Sequence, residues 1–566
     1  FGTRRLRWMR MLDLVHTSQL SKLPCKVIIF LNRCLHASNP LMQRVLGKEN
    51  GLTKSPKDKP IVVIGGGIGG LVSALEMSSA GLQVILVEKE QKLGGKIRQI
   101  DCGGKGVDSG PTVFTMRWVF DGIFQNAGCQ LEDVLHIDQL QILARHAWGP
   151  AERLDLYANR EQSAQAIHDF AGAAEANRFM AFCQQASKLY CALEKPYMLS
   201  ARPSMMGMMS DLGPMGSKAL YEIGLFNDLW KSLSRYFKDP RIHQLFSRYA
   251  TYCGSSPSQA PATLMLIADV EMQGVWAVQG GMVAITEAIT KLAQAKGVQF
   301  ITGMNCEEIM QSAGKVSGVR LSNDEVIATD NIIFNGDAMA LQTGLLGLAN
   351  QSASPVSQTT RSLSAITWSM FAKPKGFPLV RHNVFFNQDY ASEFTDIFYR
   401  KRLPQNPTVY VCAQDQTDTH LTHPDGERML CLVNAPAIGD LNQPSLSEIE
   451  SCQEKAFSLL RHCGLDLSLE KAIVTRTSPQ DFHRLFPATG GALYGQANHG
   501  WMDTFRRPAA HTTIPGLYLA GGSAHPGAGV PMAALSGRMA AATLMAHLGL
   551  IKRSGRVLIS GGMSMP

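Results

Sequence analysis

Four consecutive β-branched apolar residues, Ile61-Val62-Val63-Ile64, stand directly before a run rich in glycine, Gly65-Gly66-Gly67-Ile68-Gly69-Gly70. An uninterrupted apolar run this short predicts a strand buried on both faces, as in a parallel sheet. Leu71–Ala80 has helical composition and stops at Gly81; Gln83–Val87 then reads as a second buried strand, closed by Glu88. Related patterns return twice. Gln279-Gly280-Gly281-Met282 leads into a helix over Val283–Ala295, ended by Gly297. Strands follow at Val298–Thr302, Val316–Leu321 and Val326–Thr329, and Ile332-Ile333-Phe334-Asn335 returns to the sheet. Further on, Gly516-Leu517-Tyr518-Leu519-Ala520-Gly521-Gly522 is a turn, a buried strand and a glycine-rich exit. A helix from about Met532 to His547 comes next, and its Ala533, Ala534, Ser536 and Gly537 suit close packing. Short apolar strands alternating with helices predict an α/β fold.

The first glycine run satisfies G-x-G-x-x-G with Gly65, Gly67 and Gly70. Gly65 permits the tight turn, Gly67 lets backbone approach a pyrophosphate, and Gly70 lets the helix pack on the strand. The helix N-terminus offers free amides and a positive dipole end to an anion. Glu88, 18 residues after Gly70, is placed to accept hydrogen bonds from ribose hydroxyls. Gly69 and Lys89 flank these groups and belong to the same expected site. This fingerprint serves both NAD and FAD.

Leu93-Gly94-Gly95-Lys96-Ile97-Arg98 resembles the second signature of FAD oxidoreductases of the amine oxidase and phytoene desaturase superfamily. The resemblance implies that Gly95 and Lys96 turn beside the cofactor and that Arg98 approaches its phosphates, although Arg98 also reads as a plain surface residue. Asp108-Ser109-Gly110-Pro111-Thr112 is similar to a loop that passes near the flavin. His525-Pro526-Gly527-Ala528-Gly529-Val530-Pro531 resembles the C-terminal motif of the carotenoid and phytoene desaturase family. The cofactor set it implies is completed by Gly522, Pro526, Gly527, Gly529, Val530 and Pro531. Many relatives carry Gly-Asp at this strand exit; here Gly521-Gly522-Ser523 stands instead, so no acid takes that role. His525 reads equally as a flavin-side residue or as one that fixes the Pro-Gly turn.

The resemblance implies non-covalently bound FAD in a discontinuous Rossmann-type domain of the amine oxidase/phytoene desaturase kind, with an inserted α+β substrate domain. The FAD-binding parts are expected at 60–145, 276–345 and 481–550, and the substrate parts at 146–275 and 346–480. A basic leader (1–59) and a tail (551–566) flank them. Leu143-Ala144-Arg145-His146-Ala147-Trp148, Phe246–Tyr252, Val275-Trp276-Ala277, His382–Phe386 and Phe505-Arg506-Arg507-Pro508 extend the likeness across 60–550. They point to the branch that introduces a C3–C4 double bond into 1-hydroxycarotenoids. Phytoene desaturases, other polyene desaturases or isomerases, amine oxidases, and non-catalytic lipid-binding escort proteins of the same fold are the other readings.

For the substrate end of the pocket the candidates are Arg145, His146, Arg248 and Tyr249, each equally readable as part of a satisfied structural pair. No catalytic base is assigned, and nothing in the motifs specifies the acceptor of electrons from reduced FAD. Met198, Met205, Met206, Met208, Met209 and Met215 crowd one stretch of the substrate part. Such soft side chains suit a tunnel for a long hydrocarbon as well as an ordinary core.

Composition narrows the picture further. The net charge of +8 resides in residues 1–60, which hold twelve Lys/Arg against three acids, so the remainder sums to −1. A nucleic-acid partner is therefore not expected. The leader, opening with Arg4, Arg5, Arg7 and Arg10, reads either as non-native or disordered sequence or as a targeting or membrane-contact segment. The 12 cysteines show no CxxC pair or zinc-like cluster, which points to buried free thiols in a reduced compartment and no metal site. No apolar run reaches membrane-spanning length. A lipid-soluble polyene as substrate implies peripheral association with the cytoplasmic face of a membrane.

Overall fold

The computed structural model describes residues 59–551 except 205, 209, 211–226, 354–359, 418–424 and 442. Expectations for the leader, for Met205, Met209 and Met215, and for the tail beyond Ile551 fall outside these residues.

Ile61–Ile64 is the central strand of a five-stranded sheet in the order Leu517–Leu519, Ile332–Phe334, Ile61–Ile64, Val84–Glu88, Gln299–Thr302. Every pairing is parallel. The residues alternate as pleating requires. Ile61 and Val63 face a core shared with three helices, Ile68–Ser79, Val283–Ala295 and Val530–His547. Val62 and Ile64 face the other way, onto an antiparallel meander of Cys306–Ser312, Lys315–Leu321 and Val326–Ala328. Both faces are covered, which explains why the central strand is apolar throughout.

The helices that follow the first and last strands cross at two glycines. A Cβ on Gly537 would overlap the Gly69 carbonyl oxygen. Ser73 Oγ lies 2.7 Å from that carbonyl and 3.1 Å from the Gly537 carbonyl, sharing its proton between helices. Arg538, 3% exposed, reaches back to Glu76 at 2.7 Å.

The second sheet has seven strands in the order Ile473–Thr477, Ser364–Ala372, Glu427–Ala435, Val409–Ala413, His382–Phe385, Ile142–Ala147, Arg153–Tyr157. All neighbours are antiparallel except His382–Phe385 with Ile142–Ala147. One face is a dry core: Trp368, Met370, Phe385, Val411, Cys431 and Val433 pack with Cys452, Phe457 and Leu460 of the helix Leu446–His462. The opposite face carries His146, Val384 and Tyr410 in one cross-strand row and meets a helical core containing Phe179, Phe182, Phe246 and Tyr249.

Two expected boundaries move. The division at 145/146 falls inside Ile142–Ala147, whose ladder bonds to both neighbours put the whole strand in the seven-stranded sheet. The division at 480/481 falls inside the helix Pro479–Leu485, begun by a capping box between Ser478 and Asp481. The last helix starts at Val530, earlier than its composition suggested, because Pro531 suits the first turn.

Since the Gly69–Gly537 contact leaves no room for a methyl group, Gly537→Ala is expected to cost about 1–3 kcal/mol of stability. Chemical denaturation of the purified protein measures this, and an unchanged midpoint would show that the crossing has slack.

Candidate cofactor and substrate sites

The cofactor cradle grows out of the end of the central strand. Gly67 stands at the N-cap of the helix Ile68–Ser79 with extended backbone and no side-chain cap, so amides of the first turn face outward. The loop Leu93–Lys96 runs alongside. Gly94 N–H donates to the Gly66 carbonyl at 2.8 Å, and a Cβ on Gly95 would come within 3.0 Å of Gly67 Cα. Two glycine backbones thus lie at a spacing that admits no side chain. Gly70 packs over the Gly65 carbonyl, which accepts a hydrogen bond from Asn335 Nδ2 at 3.1 Å. Glu88, 8% exposed, accepts from Gly66 N–H at 2.6 Å on one oxygen and from Glu90 N–H at 2.9 Å on the other. Each oxygen keeps a second lone pair for a ribose hydroxyl. Uncapped amides, a cradle without side chains and an acid at the strand end fit the phosphate-ribose half of FAD.

The flavin-side loop is pinned from two directions. Asp108 N–H donates to Gln414 Oε1 at 2.9 Å, and Gln414 Nε2 returns a bond to the Asp108 carbonyl at 2.8 Å. The buried Asp108 carboxylate accepts from Met282 N–H at 2.7 Å and Gln99 Nε2 at 3.0 Å, while desolvation raises its pKa. Gly110 backs onto the Lys96 carbonyl, and Pro111 leads to Thr112, whose Oγ1 is 2.7 Å from Tyr410 Oη.

The basic candidates separate. Lys96 Nζ donates to the Leu493 carbonyl at 2.6 Å, its pKa lowered by burial against the pull of Asp337. Arg98 sits over the Phe482 ring and donates to Thr477 Oγ1 at 3.2 Å. Lys89 Nζ is tied to the Arg484 carbonyl at 3.1 Å.

On the C-terminal side, Arg507 donates to the carbonyls of Gly522 (3.0 Å) and Gln496 (2.9 Å), and Gly527 lies against its side chain. Tyr197 Oη reaches the Pro526 carbonyl at 3.3 Å. The helix from Val530 begins at Gly529 with no side-chain cap and Pro531 in its first turn, leaving its positive end bare. His525 is 3% exposed, with Nε2 3.1 Å from the Tyr197 carbonyl. Burial pushes its pKa down to about 4, so the imidazole that meets Tyr197 is neutral. An acid does lie near Ser523, supplied by another strand exit: Asp337 Oδ2 and Ser523 both lie next to Gly495. Its charge is felt by Lys96 and Arg507.

The four substrate-end candidates divide according to the pleat. Arg145 and His146 are adjacent on one strand and point to opposite faces. Arg145 is clamped on Asp155 at 2.7 and 2.6 Å and on the Pro378 carbonyl. His146, fully buried, joins a stack with Phe386 and Trp148. On the helical side Tyr249 and Tyr252 each donate to one oxygen of Glu271 at 2.7 Å. Arg248, 6% exposed, lies 5.0 Å from the Tyr252 ring centroid and 6.0 Å from that of Tyr249. Desolvation opposes its charge, but the Glu271 carboxylate beside the two tyrosines keeps its pKa raised. His382, 3% exposed, has Nδ1 2.7 Å from Tyr410 Oη, so a hydrogen-bonded chain runs Thr112–Tyr410–His382 from the flavin-side loop into this cluster. Of the described methionines in the expected tunnel, Met198 and Met208 are buried and Met206 is 85% exposed. Among the described residues no group of three or more His, Cys, Asp or Glu could hold a metal ion, and the described cysteines are free thiols.

Asp337, Glu271, Tyr390 and Tyr410 carry no motif of their own. Only Asp337 left a signal, the turn Asn335-Gly336-Asp337 directly after a strand of the cofactor sheet.

A family model described as flavin containing amine oxidoreductase matches residues 68–545. A protein named hydroxyneurosporene desaturase from Rubrivivax gelatinosus is 55% identical over 506 residues, covering 89% of this chain and 96% of that protein. A protein of the same name from Cereibacter sphaeroides is 41% identical, covering 86% and 98%. An oxidoreductase structure from Methanosarcina mazei superposes with a TM-score of 0.56 at 17% identity, covering 84% of this chain and 98% of that one, which shows the shared fold.

Two outcomes test this geometry. Glu88→Ala should weaken FAD binding to the apoprotein by about 10-fold or more, since hydrogen bonds to a charged group contribute about 1.5–3 kcal/mol; flavin fluorescence titration reads it. The second concerns pH. Burial and the Arg248 charge hold the His146 pKa well below its usual value, so between that value and about 6.5 only the unfolded chain takes up the proton. Stability from this residue is therefore complete above about 6.5 and is lost as pH falls. Glu393 and Glu427, raised to about 7 by burial, act in the opposite direction, so the comparison is with a variant. From pH 5 to 6.5 the unfolding free energy of His146→Phe should rise less steeply than that of the unmodified protein, by up to about 1.4 kcal/mol per pH unit. Parallel slopes would mean that His146 protonates in the folded state.

Proposed function

Because the chain belongs to the flavin-containing amine oxidoreductase family, we propose that it is an FAD-dependent carotenoid desaturase that introduces a C3–C4 double bond into 1-hydroxycarotenoids. The observation that carries this reading is likeness along nearly the whole length, at 55% and 41% identity, to two proteins named hydroxyneurosporene desaturase. When bound, FAD supplies the acceptor for a hydride equivalent leaving one carbon, while the neighbouring carbon loses a proton.

The chain's own groups perform the positioning. The bare N-termini at Ile68 and Val530 orient negative charge, and the doubly pinned Asp108–Thr112 loop fixes the wall beside the substrate. The helical core around Phe246 and Phe386 gives the substrate side apolar surroundings. Positive charge developing next to a polyene is delocalised, so orientation contributes more than a strong base. Glu271 is engaged by two tyrosines, and His146 and His382 are neutral.

A lipid-soluble substrate favours peripheral attachment at the cytoplasmic face of a membrane. No helix among the described residues is long and apolar enough to cross one, and the exposed Met206 is a contact candidate.

Purified protein with FAD and liposomes, offered a 1-hydroxycarotenoid and phytoene separately, tests the reading. Loss of two hydrogens with a red-shifted spectrum from the hydroxylated substrate alone is expected. Conversion of phytoene would move the assignment to a phytoene desaturase, and conversion of neither would sink the carotenoid assignment.

A further inference from the structure

Five polar atoms around Arg248 lack a hydrogen-bond partner: its own Nε and Nη2, His146 Nε2, His382 Nε2 and Tyr390 Oη. Their residues are 6, 0, 3 and 4% exposed. Folded proteins leave few such atoms unpaired, and here they gather in one place. His146 and His382 lie on the same face of adjacent strands, two registers apart from neighbouring rows through Val384. Phe386 stacks on His146 at 6.1 Å and meets Tyr390 edge-on at 5.9 Å. His146, His382 and Tyr390 all feel the Arg248 charge. The surroundings are apolar, with Phe246, Val384 and Phe394 in the same core.

Donor and acceptor roles narrow what this cluster of unpartnered atoms would bind. The Leu154 carbonyl, 3.2 Å from His146 Nδ1, can only accept, so Nδ1 carries the proton and Nε2 is a bare acceptor. Arg248 can only donate. A carbonyl or carboxylate oxygen would leave His146 unmatched, and an ammonium group would face the guanidinium. A hydroxyl both accepts and donates. Water does the same and can fill the pocket in the free protein.

We propose that Arg248 and His146, with His382 and Tyr390 beside them, bind the aliphatic hydroxyl of the substrate, the guanidinium donating to its oxygen and His146 Nε2 accepting its hydrogen. This rests on the polyene-desaturase reading above and makes these residues determinants of specificity. In a 1-hydroxylated polyene the hydroxyl carbon lies two bonds from C3, so the oxygen must be held close to the flavin. The Thr112–Tyr410–His382 chain connects the pocket to the flavin-side loop. The hydroxyl then fixes which carbon–carbon bond lies over the cofactor.

The test compares kcat/KM for a 1-hydroxycarotenoid and for the same carotenoid without the hydroxyl. A site built around a hydroxyl should favour the first by at least about 100-fold. In Arg248→Met, and in His146→Phe, which keeps a ring in the stack with Trp148 and Phe386, the preference should shrink to about 10-fold or less. The loss should fall on the hydroxylated substrate alone, with flavin content unchanged. Equal losses on both substrates in the flavin-loaded His146→Phe protein would overturn the proposal, as would equal turnover of both by the unmodified protein. Failure of the unmodified protein to convert either substrate would instead remove the desaturase reading and the pocket assignment with it.

Discussion

The fold depends on a contact between two pieces of backbone that have no side chains between them. Gly69, in the first turn after the central strand, touches Gly537, midway along the last helix. Ser73 binds the two helices there across 464 positions of sequence. This crossing seats the last helix against the sheet, and the start of that helix projects toward the cofactor cradle through the Gly529 turn. A methylene inserted at the crossing would move both. Strength here comes from dispersion at short range and one shared proton, not from a bulky apolar plug.

The seven-stranded sheet solves a different problem with one set of strands. Its Trp368 face is a conventional dry core under the helix Leu446–His462. Its Tyr410 face bears imidazoles, hydroxyls and a buried guanidinium within reach. Strand alternation allows the two environments to coexist without crosstalk, because each residue commits to one side. The cost of burying Arg248 is offset by Glu271 and two tyrosine rings on the helical side, so the charge is supported from the wall facing the sheet rather than by the sheet itself.

The cofactor half was legible in the sequence because its requirements are local. A turn that must approach a pyrophosphate needs glycine at fixed spacing, and a strand buried on both faces must be apolar; both constraints act within a few residues. The second sheet obeys no such local rule. His382, Tyr410 and Thr112 form one hydrogen-bonded chain although its two links span 28 and 298 positions of sequence respectively, and that juxtaposition exists only once the register is set. The same reason splits Arg145 from His146. Adjacent in sequence and equal as candidates, they are assigned by the pleat to a clamp on Asp155 and to the buried cluster. Asp337 illustrates the intermediate case: its turn was visible, its approach to Ser523 was not, because two strand exits had to be brought side by side first.

The order in which the cofactor sheet is threaded also has a consequence for biogenesis. Its edge strand Leu517–Leu519 pairs with Ile332–Phe334, and its last covering helix is Val530–His547. A ribosome releases both only after the intervening lobe has been made, and chains fold from the N-terminal side as they emerge. The strand-end acid and glycine loops near residue 65 must therefore wait, without their closing wall, for most of translation. A chain interrupted before residue 517 lacks the edge strand and the covering helix Val530–His547, so flavin loading is expected to be a late step that follows completed synthesis.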